Sequence, residues 1–188
     1  MEAKIIRYPT EEDWLLVMDT AYRTVSKVAL EYPDTNWKRR ILTSEHSPIR
    51  NLIFIWQWTE IPSWVSVHIT RHNKFTEHFV STQRNDRQKK YDRNKAPQDI
   101  PVSHRVSSNA QAIMDISHKR LCNCASKETR EVWQLFLNKL ENVALELFQL
   151  CVPACIYRNG ICPEFNKCGY NKTEAFDAKL SEYKKNFL

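Results

Sequence analysis

The chain carries 188 residues, enough for one domain with a full core or for one domain and a small appendage. Its formal charge of +6 fits an anionic partner such as a nucleotide, a cofactor phosphate or a nucleic acid, and fits simple solubility equally well. No apolar run approaches the roughly 18 residues of a membrane span and no charged-then-apolar leader opens the sequence, so membrane and secreted classes are set aside and a cytoplasmic protein is expected.

Residues 4–8 form a short apolar run suited to an edge strand. Thr10 reads as a helix N-cap, with Glu11, Glu12 and Asp13 in the first turn where the helix dipole favours acids. Trp14, Met18, Ala21, Tyr22, Val25 and Ala29 recur at helical spacing, which predicts an amphipathic helix over 11–31 that ends near Pro33. A short basic helix is predicted over 37–43 and a turn over 44–48. Leu52 to Thr59, rich in Ile, Phe and Trp, reads as a half-buried strand. Pro62 interrupts it, and 63–72 reads as a helix opened by Ser63 that delivers Arg71 and His72 at its end.

Residues 85–96 carry Arg87, Lys89, Lys90, Arg93 and Lys95 with few apolar neighbours, the pattern of a solvated loop or exposed helix. Pro97 and Pro101 bracket a connector into a strand over 102–106. Ser107 or Ser108 is expected to cap a helix from Asn109 to about Lys119, and Ser126 a second one over 127–150. The second has a broad apolar stripe through Val132, Trp133, Phe136, Leu137 and Leu140, a core or an oligomer face. A weaker helix is predicted over 174–187.

Chemistry-bearing residues concentrate between Val67 and Arg84, where His68, Arg71, His72, His78, Ser81 and Thr82 stand among apolar side chains. Only two glycines occur, Gly160 and Gly169, so a glycine-rich phosphate loop is excluded and any phosphate must be held by side chains or helix N-termini. Arg71-His72-Asn73, a seven-residue spacer and Ser81 resemble the Arg-His-Arg-x7-Ser signature of the flavin-dependent thymidylate synthases, which make dTMP from dUMP with a flavin and no protein nucleophile. Asn109 to Arg120 is similar to the family's second block, which opens Asn-Ala and closes on an Arg that holds the substrate phosphate. Ala125, Glu128 and Arg130 resemble the run that follows it. Glu45-His46-Ser47-Pro48 resembles the family's His-x-Ser/Thr-Pro turn, with His46 one position out of register.

The resemblance implies an α/β single domain with a small, mostly antiparallel sheet packed by helices over 1–150, followed by a Cys-rich tail and terminal helix over 151–188. It implies FAD as cofactor, methylenetetrahydrofolate and NADPH as co-substrates, and a homotetramer whose sites are shared between subunits. On this reading Arg120 and Ser81 are the catalytic pair, and they bind dUMP together with Thr82, Gln83 and His68. Arg71, His72, Asn73, Asn109 and His46 hold the cofactor.

The chain also departs from the family pattern. Asn73 stands where the family has Arg, Phe79 where it has an acid, Gln83 where it has Arg, His68 where it has Gln, and Arg50-Asn51 where it has Glu-His. The interval between the two main blocks is shorter than the family's by one helix and its phosphate-contacting Arg. Arg84 or an Arg between 87 and 105 is expected to replace the charge missing at Gln83. Transfer of a hydroxymethyl group without the final reduction is the alternative chemistry. His78 and His118 read as ordinary surface or packed histidines.

Six cysteines without a secretory leader point to free thiols or metal ligands rather than disulfides. Cys151, Cys155, Cys162 and Cys168 are spaced as C-x3-C-x6-C-x5-C, with both glycines where tight turns around a zinc ion would need them. Cys122 and Cys124 are expected in the turn before Ser126. A zinc knuckle joined to the basic run 84–95 would make a nucleic-acid-binding module, a rival set aside in favour of the nucleotide enzyme.

Overall fold

The computed structural model describes residues 1–187. Four strands form one antiparallel sheet in the order β1-β2-β4-β3: β1 Glu2–Arg7, β2 Ile53–Pro62, β3 Thr76–Val80 and β4 Pro101–Asn109. Helices cover one face, making a single α/β domain. They are α1 Glu11–Arg23, α2 Thr35–Thr43, α3 Ser63–Thr70, α4 Asn85–Gln88, α5 Ala110–Arg120, α6 Lys127–Leu140, α7 Leu145–Leu150, α8 Ala154–Tyr157 and α9 Glu174–Phe187.

Strand alternation decides which side chains meet the helices. Phe54, Trp56 and Trp58 of β2 and Val102, His104 and Val106 of β4 are buried on the inner face. Trp56 stacks on Phe136 of α6 at 4.1 Å, while the Trp58 indole donates to the Val132 carbonyl at 2.9 Å. The stripe expected to be either core or oligomer face is thus core: Val132, Trp133, Phe136 and Leu140 are fully buried under the sheet. Residues 151–187 join the same core through Cys151, Val152, Ile156, Phe176 and Tyr183.

No helix among the described residues lies on the outer face. Lys4, Gln57 and Arg105 lie abreast across β1, β2 and β4, and Phe79 of β3 pairs with Arg105. Phe79 is 61% exposed and Ile6 47%, so this face carries apolar surface that the protomer itself leaves open.

Several element boundaries differ from the sequence expectations for local reasons. Thr10 does cap α1, in a reciprocal capping box with Asp13. The helix stops at Arg23 rather than near residue 31, because the Thr24 hydroxyl takes the Ala21 carbonyl at 2.7 Å and Ser26 adopts a left-handed φ of 58°. The helix predicted over 127–150 is broken between Leu140 and Leu145. There the Asn142 amide takes the Asn138 carbonyl at 3.1 Å, competing with the helix ladder. Ser107 and Ser108 cap nothing; they stay in β4 opposite Glu77 and Thr76, and the cap passes to Asn109. Pro62, not Ser63, occupies the N-cap position of α3, and no side chain caps that end. β3 itself has no counterpart in the sequence expectations.

Candidate active site

α3 ends at Thr70 and hands the chain to an exposed turn, Arg71 to Lys74, before β3 begins. α5 lies beside this turn because Asn109, at the end of β4, turns the chain into the helix with its side-chain oxygen on the Ala112 N–H at 2.9 Å. The helix then carries Arg120 at its C-terminus, where the guanidinium Nε donates to His72 Nε2 at 2.7 Å and Nη2 to the His68 carbonyl. These bonds leave the remaining N–H donors of the guanidinium uncommitted.

The pairing fixes the state of His72. Burial first, and then the positive Arg120, holds its pKa down to about 4, so the ring is neutral near pH 7 with Nε2 as acceptor and the proton on Nδ1. Burial and then Arg71 lower the pKa of Arg120, which remains a cation at any physiological pH. Arg71, Lys74 and Arg120 have no ion-pair partner among the described residues. Arg71, His72, Asn73 and Lys74 face Ala112, Asp115 and Ile116 across a depression of about 190 Å³.

A chain of imidazoles braces this turn from below. His78 Nε2 donates to the His72 carbonyl at 2.8 Å, since a carbonyl can only accept. His78 Nδ1 meets His104 Nε2 at 3.0 Å, and His104 Nδ1 meets the Ser66 hydroxyl at 3.1 Å. His104 is fully buried, and burial followed by the His78 charge lowers its pKa to about 4. The set-aside His78 therefore connects β4, α3 and the His72 turn. The inward register of His104 between Val102 and Val106 was the signal that could have found the relay.

The other half of the signature lies across the sheet. Ser81 extends β3 by one residue, donating its N–H to the Ser103 carbonyl at 2.8 Å and accepting the Ser103 N–H on Oγ at 3.1 Å. Its hydroxyl proton stays available on the open face, in a cleft of about 460 Å³ with Phe79, Gln57 and Arg105. Thr82 Oγ1 accepts the Arg84 N–H at 3.2 Å. Ser81 and Thr82 thus do not share the depression beside Arg71 within one protomer.

Three of the expected binding residues have other commitments, and a fourth, His46, stands apart. The Gln83 amide donates to the Ser63 hydroxyl at 2.8 Å, which ties the end of β3 to α3 rather than to a ligand. The His68 ring lies between Trp64 and Thr129, linking α3 to α6, and only its carbonyl reaches Arg120. Asn109 is 4% exposed and its oxygen is the α5 cap. His46 is exposed ahead of a short 3-10 turn and makes no capping bond. Of the arginines expected to supply the missing charge, Arg84 is paired with Asp86 at 2.7 Å, whereas Arg105, among those between 87 and 105, lines the Ser81 cleft.

The expected set of four metal ligands is not assembled as spaced. Cys151 is buried in the core beside Ser117, where burial pushes its thiol up to about 12. Cys168 instead meets Cys122 and Cys124.

No protein-family model and no curated protein matches the sequence. Solved structures do match by shape. Two structures of thymidylate synthase X from Helicobacter pylori, both described as complexes with FAD and dUMP, align with TM-scores of 0.65 and 0.64 at 13% identity. The alignments cover 81% of this chain and 99% and 100% of those chains. The likeness is one of fold, and it leaves about a fifth of this chain without a counterpart. No helix among the described residues is long and apolar enough to cross a membrane.

Proposed function

We propose that the protein is a flavin-dependent thymidylate synthase-like enzyme that binds FAD and dUMP and transfers a one-carbon group from methylenetetrahydrofolate to C5 of the nucleotide, with NADPH as reductant. The observation that carries the reading is the convergence of Arg71 and Arg120 on one turn, Arg120 being bonded to His72 directly after Arg71, with no carboxylate among the described residues in an ion pair with either. Two guanidiniums held together against their mutual repulsion make a site for anions. The fold shared with complexes of FAD and dUMP supports a flavin and a nucleotide as those anions.

Each residue takes a role from its chemistry. Arg71 and Lys74, exposed and free of ion pairs, fit the diphosphate of FAD, and Asn73 offers an amide beside them. Arg120 holds the nucleotide phosphate with the donors that His72 and the His68 carbonyl leave free. Neutral His72 fixes the guanidinium in one plane, and the His78–His104–Ser66 chain fixes His72. Bound flavin supplies the electrons of the reduction, and the chain supplies orientation and electrostatics.

The depression at Arg71 holds about 190 Å³, below the roughly 300 Å³ at which small-molecule pockets begin. The Ser81 cleft, with Arg105 as the cation replacing the one missing at Gln83, faces away on the open side of the sheet. A complete site therefore joins the Arg71–Arg120 turn of one copy to the Ser81–Arg105 face of another. This supports the homotetramer expectation, with the exposed Phe79 face as the surface that a second copy covers.

The test is direct. Purified protein should carry FAD, visible by its absorbance, and should bind dUMP by calorimetry. Product mass separates methyl from hydroxymethyl transfer. A colourless protein that neither takes up added FAD nor binds dUMP would end the proposal.

A further inference from the structure

Three thiols from distant parts of the chain meet outside the candidate active site. Cys122 and Cys124 sit in the turn that follows α5, and Cys168 comes from the loop between α8 and α9. Their sulfur atoms all lie within 4.8 Å of one another. None of the six cysteines is in a disulfide.

The loop that brings Cys168 has little else to hold it. Phe165 is fully exposed and Ile161 is 69% exposed, so apolar burial does not fix this segment. Its attachments are the Lys119–Glu164 ion pair at 3.1 Å, the Cys124 thiol donating to the Asn166 carbonyl at 3.2 Å and, within the segment, the Asn171 amide donating to the Gly160 carbonyl at 3.0 Å. Exposed ion pairs of this kind contribute roughly 0–1 kcal/mol. Gly169, at a left-handed φ of 80°, turns the chain directly after Cys168. On the other side, the Cys124 N–H points to the Cys122 sulfur at 3.5 Å, the turn geometry that presents two thiolates to one ion.

We propose that Cys122, Cys124 and Cys168 bind a thiophilic divalent cation, with zinc as the best fit, and that this ion staples the 158–169 loop to the turn carrying Arg120. Zinc–sulfur bonds of about 2.3 Å place tetrahedral sulfurs roughly 3.8 Å apart, so the three thiols need close by only about an ångström. Soft thiolate ligands select zinc over magnesium or calcium. A closed structural site needs a fourth ligand, and the chain leading into Cys168 carries two further thiols, which lie outside the 4.8 Å group and must move in to reach the ion. Cys155, 7% exposed in α8, and the half-buried Cys162 lie on the segment that leads to Cys168. One of Cys155 and Cys162 completes the coordination. The proposal does not rest on the flavin reading, because its ligands are Cys122, Cys124 and Cys168 and not the residues assigned to flavin or nucleotide.

The test uses the full chain purified under reducing conditions without chelator. Metal analysis should find about one zinc per chain, and cobalt substituted for it should show the intense visible bands of a tetrahedral thiolate site. Cys168 is exposed, so Cys168→Ser leaves the core intact and should weaken binding by roughly a hundredfold or more. Cys151→Ser should keep the metal. Of Cys155→Ser and Cys162→Ser, one should weaken it. Limited proteolysis should cut the 158–169 loop faster in Cys168→Ser than in the wild-type chain. A reduced wild-type chain that binds neither zinc nor cobalt would overturn the proposal. So would full metal retention in Cys168→Ser, or unchanged binding in both Cys155→Ser and Cys162→Ser.

Discussion

The two ends of β3 present the same kinds of residue in opposite circumstances. At its start, Arg71 and His72 belong to a network in which each polar group constrains the next: Arg120 on His72, His78 on the His72 carbonyl, His104 on His78. At its far end, Ser81 and Thr82 engage only backbone N–H groups nearby and are otherwise exposed on a face without helices. One end is preorganised by its own protomer. The other offers donors that no described residue uses, so a stretch continuous in sequence is divided between opposite faces of one sheet.

Removing the cation that anchors the preorganised end is the strongest way to break this comparison. Arg120→Ala should weaken dUMP binding by about a hundredfold, the loss of a charge-assisted bidentate contact worth roughly 2–3 kcal/mol, while FAD remains bound. Calorimetry on the flavin-loaded variant measures it. Mixing inactive Arg120→Ala with inactive Arg105→Ala should restore activity if the two ends cooperate between copies, since some mixed sites then carry both arginines. Unrestored activity in hetero-oligomers shown to form would place both arginines in one protomer's site.

The histidine network gives the next largest effect, on stability. His104 titrates near 6.5 when unfolded and at about 4 in the fold, so between those values the unfolded chain binds more protons. Stability therefore rises with pH across that window and is lost on acidification, by about 2 kcal/mol between about pH 7 and about pH 5 from this ring alone. His72 and His118, also lowered to about 4 with burial as the leading cause, act in the same direction. Urea unfolding at both pH values should show the slope, and His104→Gln should flatten it. The open end of β3 has no such buried titratable ring, so its variants should leave the slope unchanged.

The exposed member of the cation pair comes below these in size. Arg71→Ala should lower FAD retention by about tenfold and leave dUMP affinity within about threefold, a difference in binding free energy of roughly 1.4 kcal/mol against less than 1. Equilibrium dialysis of the two ligands separates the outcomes. Equal loss of both would mean that Arg71 and Arg120 serve one ligand.

The sequence made some helix caps legible: Thr10 and Ser126 cap as expected, whereas the α5 cap is Asn109 rather than Ser107 or Ser108. It also made the fold class legible, through spaced motifs rather than through periodicity. β3 was hidden because its inward residues, Thr76 and His78, are polar, and its outward Phe79 is apolar, the reverse of a half-buried strand. The convergence of Arg71 with Arg120 was legible from the two blocks. The relay through His104 was not, because its partners His78 and Ser66 are 26 and 38 residues away. Pairing of that range is set by sheet register and by the packing of α3 on β4, and no local pattern encodes it. The cysteine grouping failed for a related reason: spacing alone favoured the four cysteines at 151–168, whereas the turn after α5 brings Cys122 and Cys124 to Cys168.

The smallest effect separates two readings of the open end. The family resemblance puts a charged residue at Gln83, but its amide is spent on Ser63, and Arg105 lines the cleft beside Ser81. Gln83→Ala should therefore change dUMP affinity by less than about 0.5 kcal/mol while costing roughly 1 kcal/mol of stability through the lost tie to α3. Arg105→Ala should do the opposite, because its guanidinium touches only the Gln57 side chain and is exposed. A Gln83 variant with weakened dUMP binding and unchanged stability would return the contact to position 83 and remove Arg105 from the site.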